Sequence, residues 1–201
     1  MALRDLLWSC PLCGEAPLEN ARRRSATCPA CGTRFTRRHG AMIEARRPSG
    51  ERIVLPAAEW ADRLPEPVAL GEGEGGEERS ARVLARFSRG LAPVRWHGRF
   101  LGRIEQYTEP IEGTLTLSPD RLAFHPAGGE GTVWPLEQLT AVQPSSNTLQ
   151  IKARGEDVVS FRFLDDSSRY WELLLGATLR AFYRRTGRGE IIEFQPRIVA
   201  R

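Results

Sequence analysis

Four cysteines are the residues of this chain best suited to chemistry. They come in two matching knuckles, Cys10-Pro11-Leu12-Cys13-Gly14 and Cys28-Pro29-Ala30-Cys31-Gly32. Their spacing, C-x2-C-x14-C-x2-C, is close to that of a four-thiolate metal site. Each C-x-x-C knuckle presents two sulfurs from one tight turn. Proline after the first cysteine stiffens that turn, and glycine after the second accepts a backbone conformation other residues resist. Two knuckles fill a tetrahedral shell without His39 and leave no open position for water or substrate. The expected ion is therefore a structural Zn2+ held by Cys10, Cys13, Cys28 and Cys31. An iron site of rubredoxin type uses the same ligands and stays open at this point. Thioredoxin-like redox chemistry would need the motif at a strand-to-helix junction, and the second knuckle would then be superfluous.

No other stretch assembles a reactive constellation. His39, His97 and His125 stand apart from any nucleophile or paired carboxylate. Asp165 and Asp166 precede an amphipathic run and read as helix caps, and Ser167 can cap the same start. Gly128-Gly129-Glu130-Gly131 lacks the strand-to-helix context and the Lys-Ser/Thr of a phosphate loop. Trp134 and Trp171 read as core. The expectation is a chain that is not an enzyme and takes no small-molecule substrate.

Residues 1–50 form the expected metal module, with short strands around Ala26-Thr27-Cys28 and Thr33-Arg34-Phe35-Thr36. They hold few large apolar residues, so the ion must act as the staple. In modules of this kind metal binding contributes on the order of 10–16 kcal/mol. Residues 51–79 read as a linker with a short helix over Pro56 to Leu64, between two prolines. The stretch from Gly71 to Glu78, GEGEGGEE, cannot bury apolar surface and is expected to be flexible.

From 80 to 201 the pattern changes to closely spaced strands. Leu115 and Leu117 alternate with threonines up to the turn Ser118-Pro119-Asp120-Arg121. Leu122 and Phe124 then alternate again, which predicts a hairpin. Further turns at Pro126 to Gly131, Pro144 to Asn147 and Gly155 to Asp157 separate strands carrying Val133-Trp134, Leu149/Ile151 and Val159/Phe161/Phe163. The spacing describes an antiparallel meander. A helix over about 166–186 closes it, with Trp171, Leu174, Leu175, Thr178, Leu179 and Phe182 on one stripe. Gly187 ends that helix, and a last strand is expected around Ile192 and Phe194. The fold class is mainly β (α+β), a partly open antiparallel barrel plugged by its C-terminal helix.

The bulk composition bounds the rest. A length of 201 residues suits one medium domain or two small ones, and 41 % apolar residues suffice for an ordinary core. Mean hydropathy is −0.37. The net charge of +4 rests almost wholly on arginine, because Lys152 is the only lysine. The arginine bias fits a GC-rich bacterial genome. The longest aliphatic run, Leu173-Leu174-Leu175-Gly176-Ala177, is far short of the ~20 residues a membrane span needs. The N-terminus lacks the apolar region of a signal peptide. Thiols paired as knuckles fit a reducing compartment, so the expected location is the cytoplasm with association to a membrane left open.

Residues from about Glu112 to Gly187 resemble the pleckstrin-homology (PH) superfold, GRAM-like and bacterial PH-like domains in particular. The carrying residues are Glu112-Gly113-Thr114-Leu115-Thr116-Leu117, Arg121-Leu122-Ala123-Phe124, Trp134-Pro135-Leu136 with Leu139, and the final helix with Trp171. The knuckle region separately resembles a zinc ribbon. Between Arg79 and Arg103 seven arginines run without an acidic residue, interleaved with Val83, Leu84, Phe87, Trp96 and Phe100. In the PH-like resemblance this stretch precedes or enters the first strands, where some relatives bind phospholipid headgroups. Arg82, Arg86, Arg95, Arg99 and Arg103 are therefore candidate anion-binding residues. As a helix, Arg79, Arg82 and Arg86 would share a face suited to an anionic membrane. The same arginines also fit a solvated face around a small core.

These readings describe a non-enzymatic zinc-binding adaptor whose PH-like domain docks a protein partner or an anionic lipid. The partner classes are, in order, a protein, an anionic lipid and nucleic acid. The nucleic-acid alternative rests on Arg22-Arg23-Arg24 and on Arg34, Arg37 and Arg38 around the knuckles, where Phe35 is the only nearby aromatic. A further alternative is a regulatory partner of a lipid-modifying enzyme.

Overall fold

The fold is seen in a computed structural model that describes residues 3–15, 18–19, 24–73, 77–145 and 147–188. It is mainly β, with two antiparallel sheets and one long C-terminal helix. The strand expected around Ile192 and Phe194 lies outside the described residues, as do Arg22 and Arg23.

The first sheet is a meander of β1 (Ser25–Thr27), β2 (Arg34–Arg37), β3 (Met42–Arg46) and β4 (Arg52–Pro56), in that order. Inward Phe35, Ile43 and Ala45 are fully buried. A short helix α1 (Leu3–Leu6) adds Leu3 and Leu7, and α2 (Ala57–Ala61) adds Trp60. The indole of Trp60 meets the Phe35 ring edge-on at 5.6 Å and donates to the Ile43 carbonyl at 2.9 Å. This corrects the expected boundary. Residues 52–64 are not a connector, because β4 is hydrogen-bonded along β3 and Trp60 and Leu64 complete the core that residues 1–50 could not fill. The expected helix over 56–64 is confined to Ala57–Ala61.

The second sheet has eight strands: β5 (Arg79–Trp96), β6 (Arg99–Tyr107), β7 (Ile111–Leu117), β8 (Arg121–Pro126), β9 (Thr132–Pro135), β10 (Leu139–Ser145), β11 (Thr148–Ala153) and β12 (Val159–Phe163). The ladder runs β10-β11-β12-β5-β7-β8-β9, and β6 pairs β5 off this path. No ladder joins β9 to β10 among the described residues, so the sheet curls without closing. Inward side chains of every strand on the main path, with Trp134, Phe124 and Phe161 at the centre, form one core under α3 (Ser168–Arg185).

Local chemistry explains both ends of α3. The Ser167 hydroxyl accepts from the Tyr170 amide at 3.3 Å as the N-cap. Gly187, at φ 67°, supplies the left-handed residue of a Schellman stop, with Arg188 N–H on Tyr183 O and Gly187 N–H on Arg184 O. Asp166 is drawn into a small network, accepting from Trp171 Nε1 at 3.0 Å and from Arg79 at 2.8 Å.

The arginine-rich stretch is a strand, not a helix. Ala81, Val83 and Ala85 point inward with period two, and Arg82 and Arg86 point out. The strand outruns its sheet. Residues 79–87 pair with β7 and β12, whereas residues 88–96 pair only with β6. The result is a two-stranded arm about 27 Å long at ~3.4 Å per residue.

The two units touch. α1 packs on α3, and the Trp8 and Tyr170 rings lie 6.2 Å apart. Leu70 is buried in the second core, its amide donates to Thr178 Oγ1 at 3.2 Å, and Glu72 pairs with Arg184. The glycine-rich stretch therefore starts from a chain already seated on α3, and its residues 74–76 lie outside the described set. Among the described residues no helix is long and apolar enough to cross a membrane.

Gly113 shows why the Glu112-Gly113-Thr114 motif needs glycine. A Cβ there would sit 2.3 Å from the His125 carbonyl oxygen and 2.6 Å from the Phe124 ring. Gly113→Ala should lower stability by about 1–3 kcal/mol through overpacking against backbone. A urea midpoint unchanged from wild type would contradict that packing.

Candidate metal centre

Both knuckles fold on the same local plan. The Gly14 amide donates to the Cys10 carbonyl at 2.8 Å, and the Gly32 amide to the Cys28 carbonyl at 3.0 Å. Gly14 and Gly32 sit at φ 71° and 69°, where a side chain would be strained. The first knuckle follows α1, and the second forms the turn between β1 and β2. Cys10 and Cys28 are fully buried members of the first core, while Cys13 and Cys31 are half-buried at its rim.

The turns bring the sulfurs together. Cys10 Sγ lies 3.7 Å from Cys31 Sγ, and Cys13 Sγ lies 3.6 Å from Cys28 Sγ. All four sulfurs fall within 4.8 Å of one another. These separations are far beyond the ~2.05 Å of a disulfide. They match the ~3.8 Å edge of a tetrahedron with ~2.3 Å metal–sulfur bonds. The donor set fits a soft or borderline cation, and the four sulfurs would complete its shell. His39 is exposed in the β2–β3 turn.

Burial pushes the Cys10 thiol up to about 12, and it also raises Cys28. Cys31 is buried too, but the Thr33 hydroxyl at 3.1 Å, the Thr33 amide and the neighbouring sulfurs outweigh that and bring it down to about 7. Thr33 is itself fully buried and was not singled out from the sequence. Its signal was its place, directly after the Cys31-Gly32 pair.

The five candidate anion-binding arginines do not converge. Arg82 is paired with Glu112 at 2.8 Å. Arg86 stands on the outer face of the sheet beside Arg162. Arg95, Arg99 and Arg103 lie along the arm. Of the basic residues around the knuckles, Arg38 is taken up by Glu44 at 2.8 Å.

No family model and no curated protein sequence matches the chain. Among solved structures, the N-terminal PH domain of human ARAP2 is similar at 12 % identity and TM-score 0.37, over 63 % of this chain and 96 % of that one. The C-terminal domain of an unknown protein from Leishmania infantum is similar at 13 % identity and TM-score 0.34, over 49 % of this chain and 81 % of that one.

Two outcomes are expected of the metal centre. Strong chelation should expose the first unit to protease and leave a stable fragment carrying the second sheet and α3. Adding Zn2+ to the reduced, metal-free protein should release the protons that Cys10 and Cys28 hold at neutral pH, so apparent affinity should weaken as pH falls from about 8 to about 6. A pH-independent affinity would contradict a thiolate shell.

Proposed function

We propose that this chain is a non-enzymatic adaptor in which a zinc-ribbon unit and a PH-like unit carry an arm that docks on an anionic membrane surface. The observation that carries the proposal is the arm itself. Leu91, Val94, Trp96, Phe100, Leu101 and Ile104 are exposed large apolar residues on one two-stranded element, with Trp96 67 % and Leu101 62 % exposed. A monomer gains nothing from leaving such a patch in water. Its arginines are equally uncommitted. Arg89, Arg99 and Arg103 have no acidic partner among the described residues, and Arg95 bonds only the Gly98 carbonyl, at 3.3 Å. His97 and Gly98, both at positive φ, make the two-residue turn that puts Trp96 at the tip. Aromatic tips between arginines suit the boundary of an anionic bilayer, where rings enter the headgroup layer and guanidinium groups meet phosphates.

Zn2+ is the ion proposed for the four sulfurs, by ligand type and shell closure. Its role is to hold the first core together. The sulfurs leave no open coordination position, so no turnover is assigned to the centre.

One observation favours a second reading. Among the described residues the outer edge of β6 has no strand partner, which offers a protein segment a place to add as a further strand. That partner would be bound by backbone pairing and would tolerate loss of the arginines.

Vesicle sedimentation separates the two. The protein should pellet with phosphatidylserine-containing vesicles and not with neutral ones, and salt should weaken it. Replacing Arg95, Arg99 and Arg103 by glutamine should cost about 1 kcal/mol each near the surface, and so about a hundredfold or more together. Equal recovery with neutral and anionic vesicles would leave the strand-addition reading in its place.

A further inference from the structure

Outside the arm and the metal centre, the second sheet carries a built cleft. Its floor is the outer face of β11, β12 and β5. Register puts Ser160 directly opposite Arg86, Arg162 opposite Leu84, and Thr148 opposite Arg162. Arg86 thus faces Ser160 from the neighbouring strand, and Arg162 follows two residues along on Ser160's own strand and face.

The wall is a crossing of the chain. β6 ends where Tyr107 pairs with Ser88, and Thr108 is tied to Phe87 by two hydrogen bonds, one from each backbone amide. From there Tyr107 reaches over β12 to β11, where its hydroxyl accepts from Gln150 Nε2 at 3.2 Å and donates to Glu105 at 2.6 Å. The enclosed volume is about 410 Å3, with Leu84 and Pro110 as its apolar lining. That is within the range of small-molecule sites.

Three groups in this cleft have unused capacity. Arg86 and Arg162 have no acidic partner among the described residues, unlike Arg82, which Glu112 neutralises. Ser160 is 9 % exposed, and its hydroxyl makes no hydrogen bond among the described residues. A hydroxyl so placed, without a protein partner, is free to bond a ligand that enters the cleft. Two guanidinium groups and a hydroxyl that line one cleft match the several oxygens of a phosphate better than a single acceptor. Burial, with Glu105 beside it, pushes the Tyr107 hydroxyl up to about 12, so Tyr107 brings no charge of its own.

We propose that the cleft between β5, β11, β12 and the Tyr107–Pro110 crossing binds a phosphate monoester, with Arg86 and Arg162 clamping its oxygens and Ser160 hydrogen-bonded between them. The organic part of the ligand lies along Leu84, Pro110 and the Tyr107 ring. The chemistry is shared by a free phosphorylated compound and by a lipid headgroup that ends in a phosphate. This site is separate from arm docking and stands or falls without it.

The test uses the full-length, metal-loaded protein labelled with nitrogen-15. Inorganic phosphate and glycerol 3-phosphate are titrated while backbone amides are followed. Saturable shifts centred on Arg86, Ser160 and Arg162 are expected. Arg86→Gln with Arg162→Gln should weaken binding about tenfold or more. Ser160→Ala guards against a folding artefact. It removes an unsatisfied hydroxyl and so should hold or raise the melting temperature, yet it should weaken phosphate binding several-fold.

Two vesicle types identify the source. Competition between soluble phosphate and phosphatidic-acid vesicles marks a headgroup site. Phosphate binding without preference for phosphatidic acid over phosphatidylserine marks a soluble ligand. Trp96→Ser with Phe100→Ser should abolish arm docking and leave the phosphate shifts intact. Absence of saturable shifts, or shifts that survive in the glutamine pair, would overturn the proposal, as would their loss in the arm variant.

Discussion

Four sulfur atoms share a space barely wider than one ion, and the first unit is organised around that fact. A thiolate buried among neutral side chains is costly, and two adjacent thiolates repel as well. Protons relieve that cost at Cys10 and Cys28, and a cation held by all four sulfurs would relieve it throughout while linking α1, the first knuckle and the β1–β2 turn. Cys10 and Cys28 count as core residues in the same sense as Phe35 and Trp60.

The second unit depends on a different constraint, the length of one strand. β5 enters the sheet between β7 and β12 and then continues past both as half of the arm. Its first half is specified by inward alanine and valine. Its second half has no core to face, and its apolar residues are left in solvent. The change of composition along a single strand thus divides its buried half from its exposed half without a hinge. The cleft behind Tyr107 lies where the chain passes from the arm to β7.

Much of this was legible in the sequence where the signal is local. Knuckle spacing places the sulfurs because a C-x-x-C turn has only one economical conformation. Alternation placed Leu115, Leu117, Leu122, Phe124, Phe161 and Phe163 inward, and Ser167 and Gly187 marked the helix ends. The arm was not legible. Arg82, Val83, Leu84 and Arg86 satisfy a helical face as well as a strand, and only pairing with Gly113 and Ser160 decides between them. Ile43 and Ala45 alternate and Pro48-Ser49-Gly50 is a turn, but a boundary drawn at residue 50 divides the β3–β4 hairpin and leaves Trp60, which completes its core, in the next segment. Alternation with Phe161 and Phe163 puts Arg162 on the outer face, but Arg86 reaches the same face from a strand far earlier in the chain, and register between distant strands leaves no trace in one sequence.

Leu70 bears on how the protein can be divided. Composition shifts just after it, which makes residue 70 an inviting place to start a shorter fragment. Its side chain belongs to the second core, its amide occupies Thr178 on the helix, and Gly71 lies against Pro119 of the β7–β8 turn. A fragment begun at Gly71 would open a vacancy beneath α3 and strand a hydroxyl there. The natural seam lies several residues earlier, between Leu64 and Ala69, where exposed Pro65 and Glu66 separate one buried set from the other.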